Sequence, residues 1–131
     1  MEQSKLSKFV NTIPQISKFE YYPNLDVQEK EWNIQINHDI DIKYLSADEA
    51  VVTLELKIDF KEDNGPFKID AASSVHFKWK DVSEDVVYSV LTVSAPVLLL
   101  SYMRPIISMF TSSSGFMPFH VPLLDFSQEN K

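Results

Sequence analysis

Three segments of this chain alternate apolar and polar residues with period two, and no other feature constrains the fold as tightly. Over residues 32–44 the even positions read Trp32, Ile34, Ile36, His38, Ile40, Ile42 and Tyr44, and polar or charged residues fill the odd ones. Over residues 52–60 the even positions are again apolar: Val52, Leu54, Leu56, Ile58 and Phe60. Over residues 67–79 the odd positions carry Phe67, Ile69, Ala71, Val75, Phe77 and Trp79. Successive side chains of a strand point to opposite faces, so this period predicts three strands, each with one buried face. The connections, Ser46-Ala47-Asp48-Glu49 and residues 61–66, are short enough for antiparallel hairpins. Asn64-Gly65 suits a turn because both residues tolerate positive φ.

A further strand is expected within residues 9–19. Pro14 interrupts it and cannot donate to a ladder, which places it at an edge or a bulge. The resulting sheet has one apolar and one polar face, so it is covered on one side only. After Trp79 the pattern changes. Ser83 is placed to cap a helix beginning Glu84-Asp85, although the β-branched residues that follow suit a strand as well. Residues 96–111 are apolar nearly all round, which predicts a helix buried on most of its surface, with a kink at Pro105. Pro118 and Pro122 make residues 116–126 extended. The expectation is α+β: one domain over residues 1–131, with a four-stranded antiparallel sheet and one face packed by a long C-terminal helix. A chain of 131 residues suffices for one such core.

Composition narrows the chemistry. Two glycines argue against a phosphate-cradling loop, and no cysteine is present for disulfide or thiolate chemistry. A net charge of -7 disfavours a nucleic-acid partner. No nucleophile elbow, HExxH, Walker loop or dinucleotide fingerprint occurs, and His38, His76 and His120 are isolated, so neither an enzyme nor a metal site is expected. His38 lies on the apolar stripe, where a half-buried ring needs a partner. The N-terminus lacks an apolar leader region, and the longest apolar run, residues 95–100, is far short of the ~20 residues of a membrane span. The expectation is a chain that stays where it is made, without membrane insertion.

The stretch APVLLLSYMRPIISMFTSSSGFMPFHVPLLDF, residues 95–126, resembles the C-terminal half of SecB-type chaperones. A Pro-led helix carries Tyr-x-Arg, runs into a Gly turn and leads to an extended segment closing on a polar residue and Phe. The matching positions are Pro96, Tyr102, Arg104, Gly115 and Asp125-Phe126. Upstream, Phe19-Glu20 and Glu31-Trp32 fall in matching order, so the resemblance covers residues 9–126 and is strongest over 96–111. It implies a cytoplasmic homodimer or homotetramer that uses no cofactor, holds non-native polypeptides and passes them to the SecA export motor.

The resemblance also implies sites. Glu20 and Asp70 correspond to acidic residues that dock SecA on the exposed sheet face, although Lys68 stands where the family has an apolar residue. Trp32 corresponds to a Trp of the client-binding groove, and Tyr44, Phe60 and Phe77 join it as candidates by their apolar phase. At strand spacing all four equally suit a core. Tyr102 and Arg104 are expected to be structural or at an oligomer interface, with Arg104 needing a carboxylate or carbonyl partner if buried. Family members continue past the Asp-Phe pair into a groove-covering helix and an acidic tail, for which residues 127–131 are too few. Three functions follow: an ATP-independent holdase, a dedicated interaction protein serving one native partner such as an antitoxin, or a binder of small apolar ligands between sheet and helix.

Overall fold

The computed structural model describes residues 8–127. The three alternating segments form strands β3 (Ile34–Ser46), β4 (Glu49–Phe60) and β5 (Phe67–Trp79), preceded by β1 (Phe9–Asn11) and β2 (Gln15–Pro23). All pairings are antiparallel, in the order β1-β5-β4-β3, with β2 also on β5. The single edge strand expected around Pro14 is therefore two, which makes five strands rather than four. Pro14 supplies no N–H, and the ladder is carried past it by Thr12: His76 N donates to Thr12 Oγ1 at 3.1 Å, and Thr12 N to the His76 carbonyl at 3.0 Å. A register shift between Ile16 and Lys18 then resets β2.

Both hairpins close where expected, but the two turn residues at Asn64-Gly65 have different roles. Asn64 takes the positive φ, 63°. Gly65 is needed for space, because a Cβ there would lie 2.8 Å from Cδ2 of Phe60. This close approach presses the turn onto the Phe60 ring.

Helix α1 (Glu84–Ser89) begins after Ser83, whose side chain makes no capping hydrogen bond. A π-helical turn, Val90–Ser94, joins it to α2 (Ala95–Ser113), which contains Pro105. The buried face of α2 carries Pro96, Leu99, Leu100, Met103, Ile107 and Thr111. This is the i, i+3, i+4 stripe of a helix lying on a sheet. It packs over β4, β5 and β2. The core between them includes Leu54, Leu56, Ile58, Ile69, Leu99, Met103 and Ile107, all essentially inaccessible. Trimming one such side chain to Ala costs about 2–5 kcal/mol.

By length and composition the helical run Glu84–Ser113 would suffice to cross a membrane, and half of its most apolar window is buried within the fold. Residues 117–125 run without helix or strand back along α2. Hydrogen bonds with α2 dock this segment: Arg104 Nε to the Val121 carbonyl (2.7 Å), Ser108 Oγ to the Phe119 carbonyl (3.1 Å), Phe119 N to Thr111 Oγ1 (2.8 Å), and Ser108 Oγ with His120 Nδ1 (3.0 Å). Val121 within it and Phe126 just after it are buried.

Candidate functional site

Trp32 sits in the loop just before β3 and is held there by its neighbours. Glu62, at the β4 end of the β4–β5 turn, accepts from Asn33 N at 2.9 Å and from Asn33 Nδ2 at 2.6 Å. The backbone N–H of Asn33 and its side-chain amide hold the Glu62 carboxyl below its ordinary range. With the neighbouring residue pinned, the Trp32 indole donates Nε1 to the Gln28 carbonyl at 3.2 Å and carries Lys30 Nζ 4.4 Å above its ring. Its other side meets Phe60, 6.1 Å between ring centroids.

From there aromatic contacts run across the sheet. Phe60 meets Phe67 at 5.2 Å, and Phe67 meets Phe116, Phe119 and Tyr21 at 5.9, 5.8 and 6.3 Å. Tyr21 and Phe19 in turn touch Phe110 of α2, at 5.8 and 4.7 Å. Edge-to-face and tilted rings at such spacings attract one another beyond their burial. Periodicity could have placed Phe67 here, since it shares the inner phase of β5. Phe110, Phe116 and Phe119 reach the array from the helix and the extended segment, where no strand period marks them.

The four expected groove residues do not form one cluster. Phe60 stands opposite Ile34 at one end of β3, whereas Tyr44 stands opposite Ala50, which in turn faces Phe77 across β5, at the other. At about 3.3 Å per residue the two ends lie roughly 33 Å apart. Phe77 is buried against Phe9 with centroids 6.2 Å apart, whereas Tyr44 is exposed.

The stretch of β3 between those ends has an incomplete cover. Ile34, Ile36, His38, Ile40 and Ile42 face the helix side but are only half-buried, while Val52, Leu54, Leu56 and Ile58 beside them on β4 are fully buried. His38 meets the ring of Phe126 at 5.1 Å, edge to face. An apolar strip thus follows the inner side of the sheet edge, beginning beside Trp32 and Phe60.

On the opposite face, Glu20 and Asp70 are directly opposed across β2 and β5. Glu20 is exposed, but Asp70 is engaged: Lys18 Nζ donates to Asp70 Oδ2 at 2.8 Å and to Glu55 Oε2 at 3.3 Å. Burial, the largest single influence, works against ionisation of Asp70, yet the Lys18 and Glu55 hydrogen bonds and the Lys18 and Lys57 charges together outweigh it, and its carboxyl stays below the ordinary aspartate value. The Asp70 hydrogen bond, ahead of Glu55, likewise raises the Lys18 ammonium. Lys68 lies 3.9 Å from Asp59 on the same face. Of the remaining pair, Arg104 finds a carbonyl partner in Val121, and Tyr102 is half-buried. Among the described residues no three His, Cys, Asp or Glu converge on a metal position.

The family described as preprotein translocase subunit SecB matches residues 16–129. A protein-export protein SecB of Bartonella bacilliformis is 27% identical over 104 residues, 79% of this chain and 65% of that one. Its counterpart in Bartonella quintana is 27% identical over 105 residues, 79% of this chain and 66% of the relative. The chain therefore matches just under two thirds of the length of these relatives. Among solved structures, a Mycobacterium tuberculosis SecB-like chaperone in complex with an antitoxin peptide superposes with a TM-score of 0.72 at 10% identity, over 90% of this chain and 92% of the other.

Proposed function

The chain belongs to the SecB family, and from that premise we propose that it is a holdase: it binds non-native polypeptide segments without nucleotide and keeps them from aggregating. The observation that carries this reading is the aromatic array from Trp32 through Phe60 and Phe67, opening onto the half-covered apolar strip of β3. A partly exposed apolar surface beside an edge strand offers an extended client both side-chain burial and backbone partners. The acidic balance of the chain, -7, keeps such a surface soluble. The test is suppression of aggregation of two unrelated proteins unfolding in the absence of nucleotide. Protection of both at near-stoichiometric ratios supports the reading. Protection of neither removes it.

A second reading, a chaperone dedicated to one native partner, is favoured by the sheet's polar face. Lys18 ties up Asp70 and Glu55, and Lys68 stands beside them, so the acids available to a basic motor are partly neutralised. A related SecB-like chaperone, that of Mycobacterium tuberculosis, is seen with an antitoxin peptide. Protection of one client and not the other selects this reading. Delivery to SecA requires that Glu20 and Asp70 still dock the motor, and Glu20→Lys with Asp70→Lys would then abolish binding.

Self-association belongs to the same proposal. Val97, Leu98 and Met109 are exposed on α2 away from its sheet-facing stripe, an apolar face suited to a second copy of the chain.

A further inference from the structure

At the far end of the sheet from Trp32, a cleft of about 500 Å³ opens between the β3–β4 hairpin and α1. Its walls are Tyr44, Trp79, Tyr88, Glu84 and Asp85, with small or aliphatic residues between them and, among the described residues, no basic side chain. Tyr44 is 56% and Tyr88 53% exposed, although both are large aromatics. Trp79 is 8% exposed and is backed by Phe9, with ring centroids 5.8 Å apart. The backbone explains how these groups meet. Tyr44 stands opposite Ala50, whose small side chain leaves space on the inner face. Asp81, with φ at 56°, reverses the chain after β5, and Lys8 Nζ donates to its carbonyl at 3.0 Å. That reversal brings Glu84 and Asp85 across the cleft from Tyr44.

Aromatic faces together with carboxylates, with no competing cation among the described lining residues, favour one class of ligand. The negative ring faces attract a cation, and the carboxylates neutralise it. A flat guanidinium suits both demands, stacking on a ring while its N–H fork meets a carboxylate. We infer that this cleft receives a cationic side chain of a polypeptide, arginine in preference to lysine. It rests on the polypeptide-binding reading only for the source of that side chain, and it adds a charge-selecting contact roughly 33 Å from the aromatic array by strand rise. A segment spanning both places would offer an apolar stretch at the Trp32 end and a basic residue at the Tyr44 end.

The experiment is an NMR titration of the full chain with a capped Gly-Arg-Gly peptide, its citrulline analogue and its lysine counterpart. The arginine peptide is expected to shift the Tyr44 and Tyr88 ring signals and the Trp79 indole N–H, and to lose affinity with added salt. Citrulline, which keeps the shape without the charge, is expected to bind at least tenfold more weakly, and lysine to fall between. The double change Glu84→Gln with Asp85→Asn is expected to weaken the arginine peptide at least tenfold. Tyr44→Ala should do likewise, with far-UV circular dichroism unchanged because the side chain is exposed. Trp32→Ala should leave this titration untouched, so that failure of the holdase reading and failure of this site are told apart. Equal binding of the citrulline peptide, shifts confined to other residues, or no response to the arginine peptide at millimolar concentration overturns the proposal.

Discussion

At the scale of single residues, two positions show why a side chain's identity matters beyond its polarity. Gly65 is glycine because of the Phe60 ring, and Phe60 in turn backs Trp32. Gly65→Ala forces Phe60 aside and is expected to cost about 1–3 kcal/mol in urea unfolding, the usual penalty of overpacking. An unchanged midpoint would show that the ring yields freely. Asp70 is the other position. With the Lys18 ammonium present its carboxyl titrates below the ordinary value of 3.8, so the pair's contribution is present above that pH and declines as pH falls through the lowered value. Replacing Lys18 by Met removes its hydrogen bond and its charge and leaves burial opposed only by the Glu55 hydrogen bond and the Lys57 charge, so the Asp70 carboxyl should titrate higher than in the parent. Carboxyl NMR of the two proteins checks the sign. Neither relationship could be read in advance, because each depends on residues brought together from different strands. The sequence marks Asp70 as a polar-face acid and Gly65 as a turn former, and says nothing of Lys18 or the Phe60 ring.

Individual elements were legible to different degrees, for physical reasons. β3, β4 and β5 are each half-buried or more on one side, and a one-sided sheet prints its period of two directly onto the residues. The break at Pro14 was visible too, but not its consequence, since the Thr12 side chain that bridges the gap and the shift between Ile16 and Lys18 are tertiary adjustments. Val90–Ser94 became a π-helical turn where β-branched residues left strand and helix both open, and packing of Val90 and Leu91 into the core decided it. Helix α2 is less enclosed than its composition suggested. One sheet covers one stripe, and Val97, Leu98 and Met109 remain outside. If those residues meet a second copy, Leu98→Glu with Met109→Glu should leave the fold intact and reduce the mass seen by light scattering to that of one chain, 15.1 kDa. A parent protein already of that mass at micromolar concentration would remove the self-association proposal.

For the whole molecule, the sheet has two faces and two ends. Its inner face carries the aromatic array and the half-covered strip, its outer face a mixed ionic surface. The alternation gave Trp32 only an apolar phase, and its place in a binding groove came from family resemblance. Its aromatic neighbours emerged only when strand, helix and extended segment came together, which is why Tyr44 and Phe77, sharing its phase, lie far from it. On the outer face, charge reversal at Glu20 and Asp70 should remove any binding of SecA, and a parent that binds no SecA would leave the dedicated-partner reading in its place. The account depends most on the inner face. The direct measurement is the affinity of an unfolded client for the parent and for Trp32→Ala, with oligomer mass and circular dichroism recorded on both. A central aromatic anchor typically contributes about 2 kcal/mol or more, so affinity should fall roughly thirtyfold with fold and assembly retained. Undiminished affinity in a folded Trp32→Ala protein would contradict the claim that clients bind at the array.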